Sequence, residues 1–308
     1  MSDAEAAAPS ARPRLWVLNL DAELELARGG GPYQTPLSVA RGIAPALPMA
    51  ERLLAPGDAI LDGDGTVRLP AVSGGPPAPE RWLGAAWCPT PSALARLARA
   101  RAELPPSPGR AVLEHVNHRR FYLELGGGAP GARYVRDEAA LQATLAERRV
   151  WLCKRPFGFA GRGQRRIPLA PSADDRRWLA DGLRQGGFLA EPWLELQTEL
   201  GVHGLLDAGG RLALGHVCVQ RTDAFRAWVS TRRARDGELS APHTTTLRTR
   251  AEAVGEALRV AGYFGPFGID AYLYATDSGA LALNPLSELN ARFSMGYPVG
   301  APRFDAER

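Results

Sequence analysis

Lysine occurs once in this 308-residue chain: of its 37 lysines and arginines, only Lys154 is a lysine. GC-rich codon bias produces such an arginine-heavy composition, and under it arginine serves wherever a diffuse surface cation is enough. A retained lysine marks a place that needs a compact ammonium rather than a planar guanidinium. Lys154 ends the apolar run RVWLCK and leads into RPFGFAGRG, which holds Gly158, Gly161 and Gly163. Glycine takes the Cβ out of the approach, so this loop can bring backbone N–H groups up to phosphate oxygens, and a lysine at its foot adds a point charge. It is not a GxxxxGK[ST] loop, nor does it open a helix as a dinucleotide fingerprint would. Most glycine loops are plain turns; the lone lysine beside this one favours phosphate binding.

A second constellation is Asp270, Glu288 and Asn290. Positions 288 and 290 share one face of a strand, and Asp270 lies on the preceding strand, which the TDSG turn returns alongside. Two carboxylates and an amide oxygen are hard ligands suited to Mg²⁺ also held by substrate phosphates, with Mn²⁺ as the alternative. A plain hairpin would set Asp270 opposite Pro285, so a bulge or break at that proline is needed to bring it to Glu288. The competing reading is polar residues on a solvated sheet face; the strongly apolar surroundings argue against it. Arg292 continues the same face and could neutralise charge that develops beside the metal. Arg221, and less so Arg226, are candidates of the same kind.

The elements that carry these residues read as alternating strands and helices, an α+β or α/β protein with mixed sheets. RLWVLNL at 14–20 is a buried strand, 36–53 a helix broken at Pro45 and Pro48, and 69–80 a Pro/Gly-rich loop. Thr90 and Pro91 start a helix, and PPSPGR at 105–110 marks a boundary. Beyond it come a helix in NHRRFYLELGGG and one capped by Asp137, then the strand ending at Lys154. A helix opened by Ser172, a hairpin about Gly209–Gly210, a helix from about Thr246 to Ala261 and the final strand pair complete the pattern. His115 and His118 are expected to be exposed, and His203 and His216 to be cross-strand neighbours.

The net charge of +4 is a small difference between 37 basic and 33 acidic residues, and no recognition motif interleaves aromatics with basic runs, so nucleic acid is not the expected partner. Three scattered cysteines exclude a disulfide framework, and no apolar run reaches membrane-span length. The first residues lack a signal-peptide core, and a cytoplasmic location is expected.

VWLCKRPFGFAGRG, AEPWLELQTEL and GIDAYLY with SELNAR, in this order, resemble the ATP-grasp superfamily, which includes D-alanine–D-alanine ligase, glutathione synthetase and biotin carboxylase. The resemblance covers roughly residues 111–300, and the E-x-N-x-R strand after a G-x-D strand is its most specific part. It implies a loose tail (1–13), an N-terminal α/β domain (14–110), a small lid subdomain (111–195) and a C-terminal metal-bearing subdomain (196–308). By resemblance, Lys154 would touch the α- and β-phosphates and the 158–163 loop would close over them. Glu191, Trp193 and Leu194 would line the adenine hinge, Glu199 would take the ribose hydroxyls, and Asp270, Glu288 and Asn290 would hold Mg²⁺. The family's earlier lysine is missing: the matching stretch is VNHRRF, so either Arg119 or Arg120 replaces it, Arg119 being preferred, or the contact is absent. The implied activity is that of an ATP-dependent ligase joining a small-molecule carboxylate to an amine. A kinase and a non-catalytic nucleotide-binding protein are the alternatives. Relatives of this architecture are often homodimers.

Overall fold

The computed structural model describes residues 12–70, 81–147, 149–159, 161–223, 228–276 and 278–302. The tail up to residue 11, the loop from 71 to 80 and Arg226 lie outside the described residues. The elements up to residue 106 are β1 (Arg14–Val17), α1 (Ala22–Leu26), α2 (Leu37–Ile43), α3 (Leu47–Ala50), β2 (Ala59–Leu61), β3 (Val67–Arg68), β4 (Leu83–Ala86) and α4 (Pro91–Arg99). The chain divides into two compact units, one formed by residues 1–20 and 36–106, the other by 21–35 and 107–308.

The first unit is a four-stranded sheet in the order β3-β2-β1-β4, with β1 parallel to both β2 and β4. Parallel neighbours need crossovers, and the proline-broken stretch between β1 and β2 supplies one, as α2 and α3 with 3₁₀ turns at 44–46 and 51–53. Leu15, Val17, Ala59 and Leu61 pack against Ala93 and Leu97 of α4. Asp58 ties the layer together by accepting from the backbone N–H groups of Arg14 and Ala55 and from Trp16 Nε1. Helix α4 begins at Thr90 as expected, but the Thr90 hydroxyl makes no capping bond; it accepts from Asn19 Nδ2 instead.

The second unit adds α5 (Arg110–Asn117), α6 (Arg119–Glu124), β5 (Arg133–Val135), α7 (Glu138–Ala146), β6 (Trp151–Lys154), β7 (Gln164–Ile167), α8 (Ala173–Arg184) and β8 (Phe188–Pro192). Strands β5-β8-β6-β7 form an antiparallel sheet. Asp137 caps α7, and Ser172 with Asp175 forms a reciprocal box at the start of α8. Strand alternation gives this sheet two faces. Trp151, Cys153, Phe188 and Ala190 enter a core with Leu141 and Leu179 from the helices. Leu152, Lys154, Leu189 and Glu191 therefore occupy the other face.

The remaining elements are β9 (Leu196–Leu206), β10 (Leu212–Thr222), β11 (Trp228–Arg233), α9 (Ala241–Val260), β12 (Gly265–Ala275), β13 (Leu281–Asn290) and α10 (Tyr297–Gly300). They build an antiparallel sheet ordered β11-β10-β9-β12-β13. Helix α9 starts five residues before the position read from sequence, because Ser240 caps it and Pro242 fits its first turn. In the β12–β13 hairpin Tyr272 pairs with Asn284, a register that would carry Asp270 to Leu286, not to the Pro285 expected. A bulge between Asp270 and Tyr272 shifts the ladder and sets Asp270 opposite Glu288. All three cysteines are free and buried, and among the described residues no helix is long and apolar enough to cross a membrane.

Candidate functional site

Residues directly opposite in a ladder share a face. Three rows follow on the large sheet: Glu199 with Gln220 and Tyr272; Gly201 with Cys218, Asp270 and Glu288; His203 with Gly268 and Asn290. The three expected metal ligands thus lie on one face. Asn290 Nδ2 donates to Asp270 Oδ2 at 3.1 Å, and its Oδ1 accepts from Arg292. Burial first, and then the charge of Glu288, push the Asp270 carboxyl up to about 7. Burial alone would raise Glu288 too, but Arg119 and then Lys154 hold it below the ordinary carboxylate range. Two half-buried acids crowded so that one keeps its proton near neutrality are a donor set that a divalent cation would relieve. No group of three or more His, Cys, Asp or Glu residues that could by itself hold a metal ion is assembled among the described residues.

Lys154 and Glu191, on the second face of the small sheet, form a buried ion pair at 2.7 Å, and Glu191 also accepts from the Ala129 N–H. The Glu191 carboxylate is thus engaged by Lys154 and the Ala129 N–H. Trp193 lies under the Arg166 guanidinium, 4.6 Å from its ring centre, and Leu194 is half-buried. Gly158 packs so closely that a Cβ there would lie 2.6 Å from the Arg162 carbonyl oxygen, while Gly161 and Gly163 adopt positive φ. The loop after Lys154 therefore depends on all three glycines. Arg119 is buried and meets Glu288 at 2.8 Å while donating to the Arg155 carbonyl, which brings the helix α6 cation to the acids. Arg120 instead pairs with Glu124 on the surface.

Several supports were not read from the sequence. Gln220 reaches across β9 to donate to Asp270 Oδ1 at 2.6 Å and to the Leu200 carbonyl. It passes over Gly201, where a Cβ would lie 2.5 Å from its Nε2. Gly201→Ala should therefore displace the flexible Gln220 amide and release Asp270 from its hydrogen bond, at a small stability cost of about 1 kcal/mol measurable by denaturant unfolding; a Gln220–Asp270 contact kept in the variant would argue against this. Thr222, on the same face as Gln220, donates to Glu199, leaving the other Glu199 oxygen without a contact from that hydroxyl. Asn117 accepts from the N–H of Ala291 and donates to its carbonyl, fixing the link between Asn290 and Arg292.

Three expectations are corrected. Arg221 is exposed on the opposite sheet face, because it lies between Gln220 and Thr222 and side chains alternate. His118 is half-buried rather than an exposed helix histidine: it caps α6 by accepting from the Arg120 N–H, and burial, then Arg120, lower it to about 4. His203 and His216 are not neighbours on one face. A register shift between Leu214 and Val217 leaves His216 exposed and His203 buried, its Nδ1 3.2 Å from Ser294 Oγ. Arg292 is at the site, but its guanidinium is engaged by Glu23 of α1.

No family model and no curated protein matches the chain. Solved structures do resemble it. An N5-carboxyaminoimidazole ribonucleotide synthetase in complex with ADP aligns over 92% of this chain and 71% of its own, at 14% identity and TM-score 0.53. The biotin carboxylase of Campylobacter jejuni, solved as a beta-gamma-ATP complex, aligns over 71% of this chain and 50% of its own, at 12% identity and TM-score 0.53. The biotin carboxylase domain of the Hydrogenobacter thermophilus 2-oxoglutarate carboxylase, solved with MgADP and bicarbonate, covers 94% of this chain and 66% of its own, at 12% identity and TM-score 0.52. The chain has the ATP-grasp fold, with a smaller α/β unit ahead of it.

Proposed function

We propose that the chain is an ATP- and Mg²⁺-dependent ligase that activates a small carboxylate as an acyl phosphate and passes the acyl group to an amine, with ADP and phosphate released. The observation that carries this reading is the bulge-enforced pairing of Asp270 with Glu288, facing the cation Arg119 and within electrostatic reach of Lys154. Asp270 and Glu288, with Asn290, would hold Mg²⁺, and the bound ion would neutralise phosphate charge. Lys154 and the 158–163 loop would meet the phosphate chain, Arg119 would take the place of the family's missing lysine, and Glu199 would receive a ribose hydroxyl. The substrate carboxylate attacks the γ-phosphorus as the bond to ADP breaks; the amine nitrogen then attacks the acyl carbon and phosphate leaves. These steps need positioning and charge neutralisation rather than a nucleophilic side chain, which matches the residues present.

Thermal unfolding with and without Mg²⁺–ATP tests the nucleotide site. Ligand at about 100 times Kd should stabilise the wild type by roughly 2.7 kcal/mol, with the shift lost or much reduced in Lys154→Ala and Glu288→Gln. No shift at millimolar ATP would end the enzyme assignment. ADP release with candidate acids and amines then separates the outcomes by product: an amide supports the ligase, a phosphorylated hydroxyl the kinase.

A further inference from the structure

Register gives the candidate site a direction. Along the large sheet Glu199 comes first, then the pair Asp270 and Glu288, then Asn290, with Arg292 two residues beyond. In the proposed ligase this is the order ribose, phosphates, acceptor, so Arg292 marks the acceptor end, and the role inferred for that end rests on the ligase reading. Glu23 meets Arg292 there. Its Oε1 takes both Nε and Nη2 of the guanidinium, and Nη2 continues to Asn290 and so to Asp270. Arg292 Nη1 turns instead to the Phe293 carbonyl at 2.7 Å, so the two groups do not meet as parallel forks.

Glu23 Oε2 is left buried with no hydrogen-bond partner, and the residue is only 4% exposed. Among the described residues it is the only carboxylate oxygen in that condition. A buried acceptor without a donor is costly, and such a group in a folded site calls for an explanation. Burial pushes the Glu23 carboxyl above its ordinary range, Arg292 opposes that rise and the charge of Glu288 adds a little to it, so a cation at Oε2 would favour the ionised form in a way a neutral donor would not. We propose that Glu23 Oε2 receives the ammonium group of the acceptor substrate and takes one of its protons before the freed nitrogen attacks the acyl carbon, so that the acceptor is a primary amine rather than an alcohol. Arg292 is then left beside Asn290 to face the anionic acyl phosphate. Because Oε2 is closed to solvent, the amine is enclosed when bound.

The test follows the melting temperature of Mg–ADP-loaded protein titrated with ammonium, the common amino acids and short diamines, each beside its matching alcohol. At least one amine should raise the melting temperature of the wild type where its alcohol does not. Glu23→Gln keeps an acceptor for Arg292 but removes the charge. It should weaken that amine by about ten- to a hundredfold while the Mg–ADP shift stays as in the wild type, which a purely structural role would not produce. If Glu23→Gln does not fold, Glu23→Asp withdraws the oxygen by one methylene and is read in the same way. The proposal is overturned if Mg–ADP shifts the wild type and no amine does, or if the variant binds the amine as tightly as the wild type. If Mg–ADP itself gives no shift, the nucleotide reading fails and this proposal falls with it.

Discussion

Lys154→Met should lose about 3–5 kcal/mol of folding stability, besides any loss of nucleotide binding, because it leaves the Glu191 carboxylate buried and uncompensated. Both side chains are almost fully enclosed, 8% and 5% exposed, so solvent cannot screen the loss. The Ala129 N–H would remain as a contact to Glu191 but carries no full charge. Replacing both partners separates structure from function. Lys154→Met with Glu191→Leu should recover most of the lost stability, since a well-packed apolar pair often matches a buried ion pair. The same double variant should still fail to bind Mg²⁺–ATP. Urea unfolding of the two variants reads the difference; a single variant as stable as the wild type would show that the pair is not closed off in solution.

The second large effect is on pH. In an unfolded chain Asp270 would ionise near ~3.9, whereas the folded carboxyl is pushed up to about 7 by burial and then by Glu288. Between those values the folded state holds a proton that the unfolded chain has lost. This group's contribution is therefore full at low pH and is lost as pH rises through about 7. That gap corresponds to about 4 kcal/mol spread between about pH 4 and about pH 7, so the metal-free protein should lose stability steadily over that interval, with only about 1.4 kcal/mol of the loss falling between about pH 6 and about pH 8.5. Asp270→Asn should flatten that slope. A bound cation reverses the preference, because it binds the ionised form: Mg²⁺–ADP affinity should climb through neutrality in the wild type. In Asp270→Asn it should be weak at every pH. Parallel denaturation and titration series at several pH values check both halves, and a flat wild-type stability profile would contradict the crowding of the two acids.

Local signals made much of this molecule legible. Asp137 and Ser172 cap helices where their side chains can satisfy the first N–H groups, and Gly262 ends α9 at positive φ. The mismatch between the TDSG turn and the two acids required a bulge, and the ladder has one. What escaped are contacts that only tertiary structure creates. Glu23 meets Arg292 across 269 positions of sequence, from a five-residue helix with no marked pattern. Gln220 reaches Asp270 only because the strand between them has glycine at 201. Arg221 is the opposite case: the two-residue period sends 220 and 222 to the acid face and 221 away from it, and that signal was in the sequence. His203 could not be placed by alternation alone, since the shift between Leu214 and Val217 breaks the count across the hairpin.

The enclosed pair of Lys154 and Glu191 also makes the chain a one-site reporter for chemical labelling. No other side chain among the 308 residues carries a primary amine, so an acylating reagent directed at lysine has a single side-chain target. In the folded state that amine is shielded and paired, and acylation requires it to leave Glu191. The yield of modified Lys154 therefore measures how often the cleft face of the small sheet opens, and a nucleotide that shields the ammonium should slow the reaction. Mass spectrometry of the peptide that carries Lys154, which separates it from the α-amino group, would read both with no engineered probe.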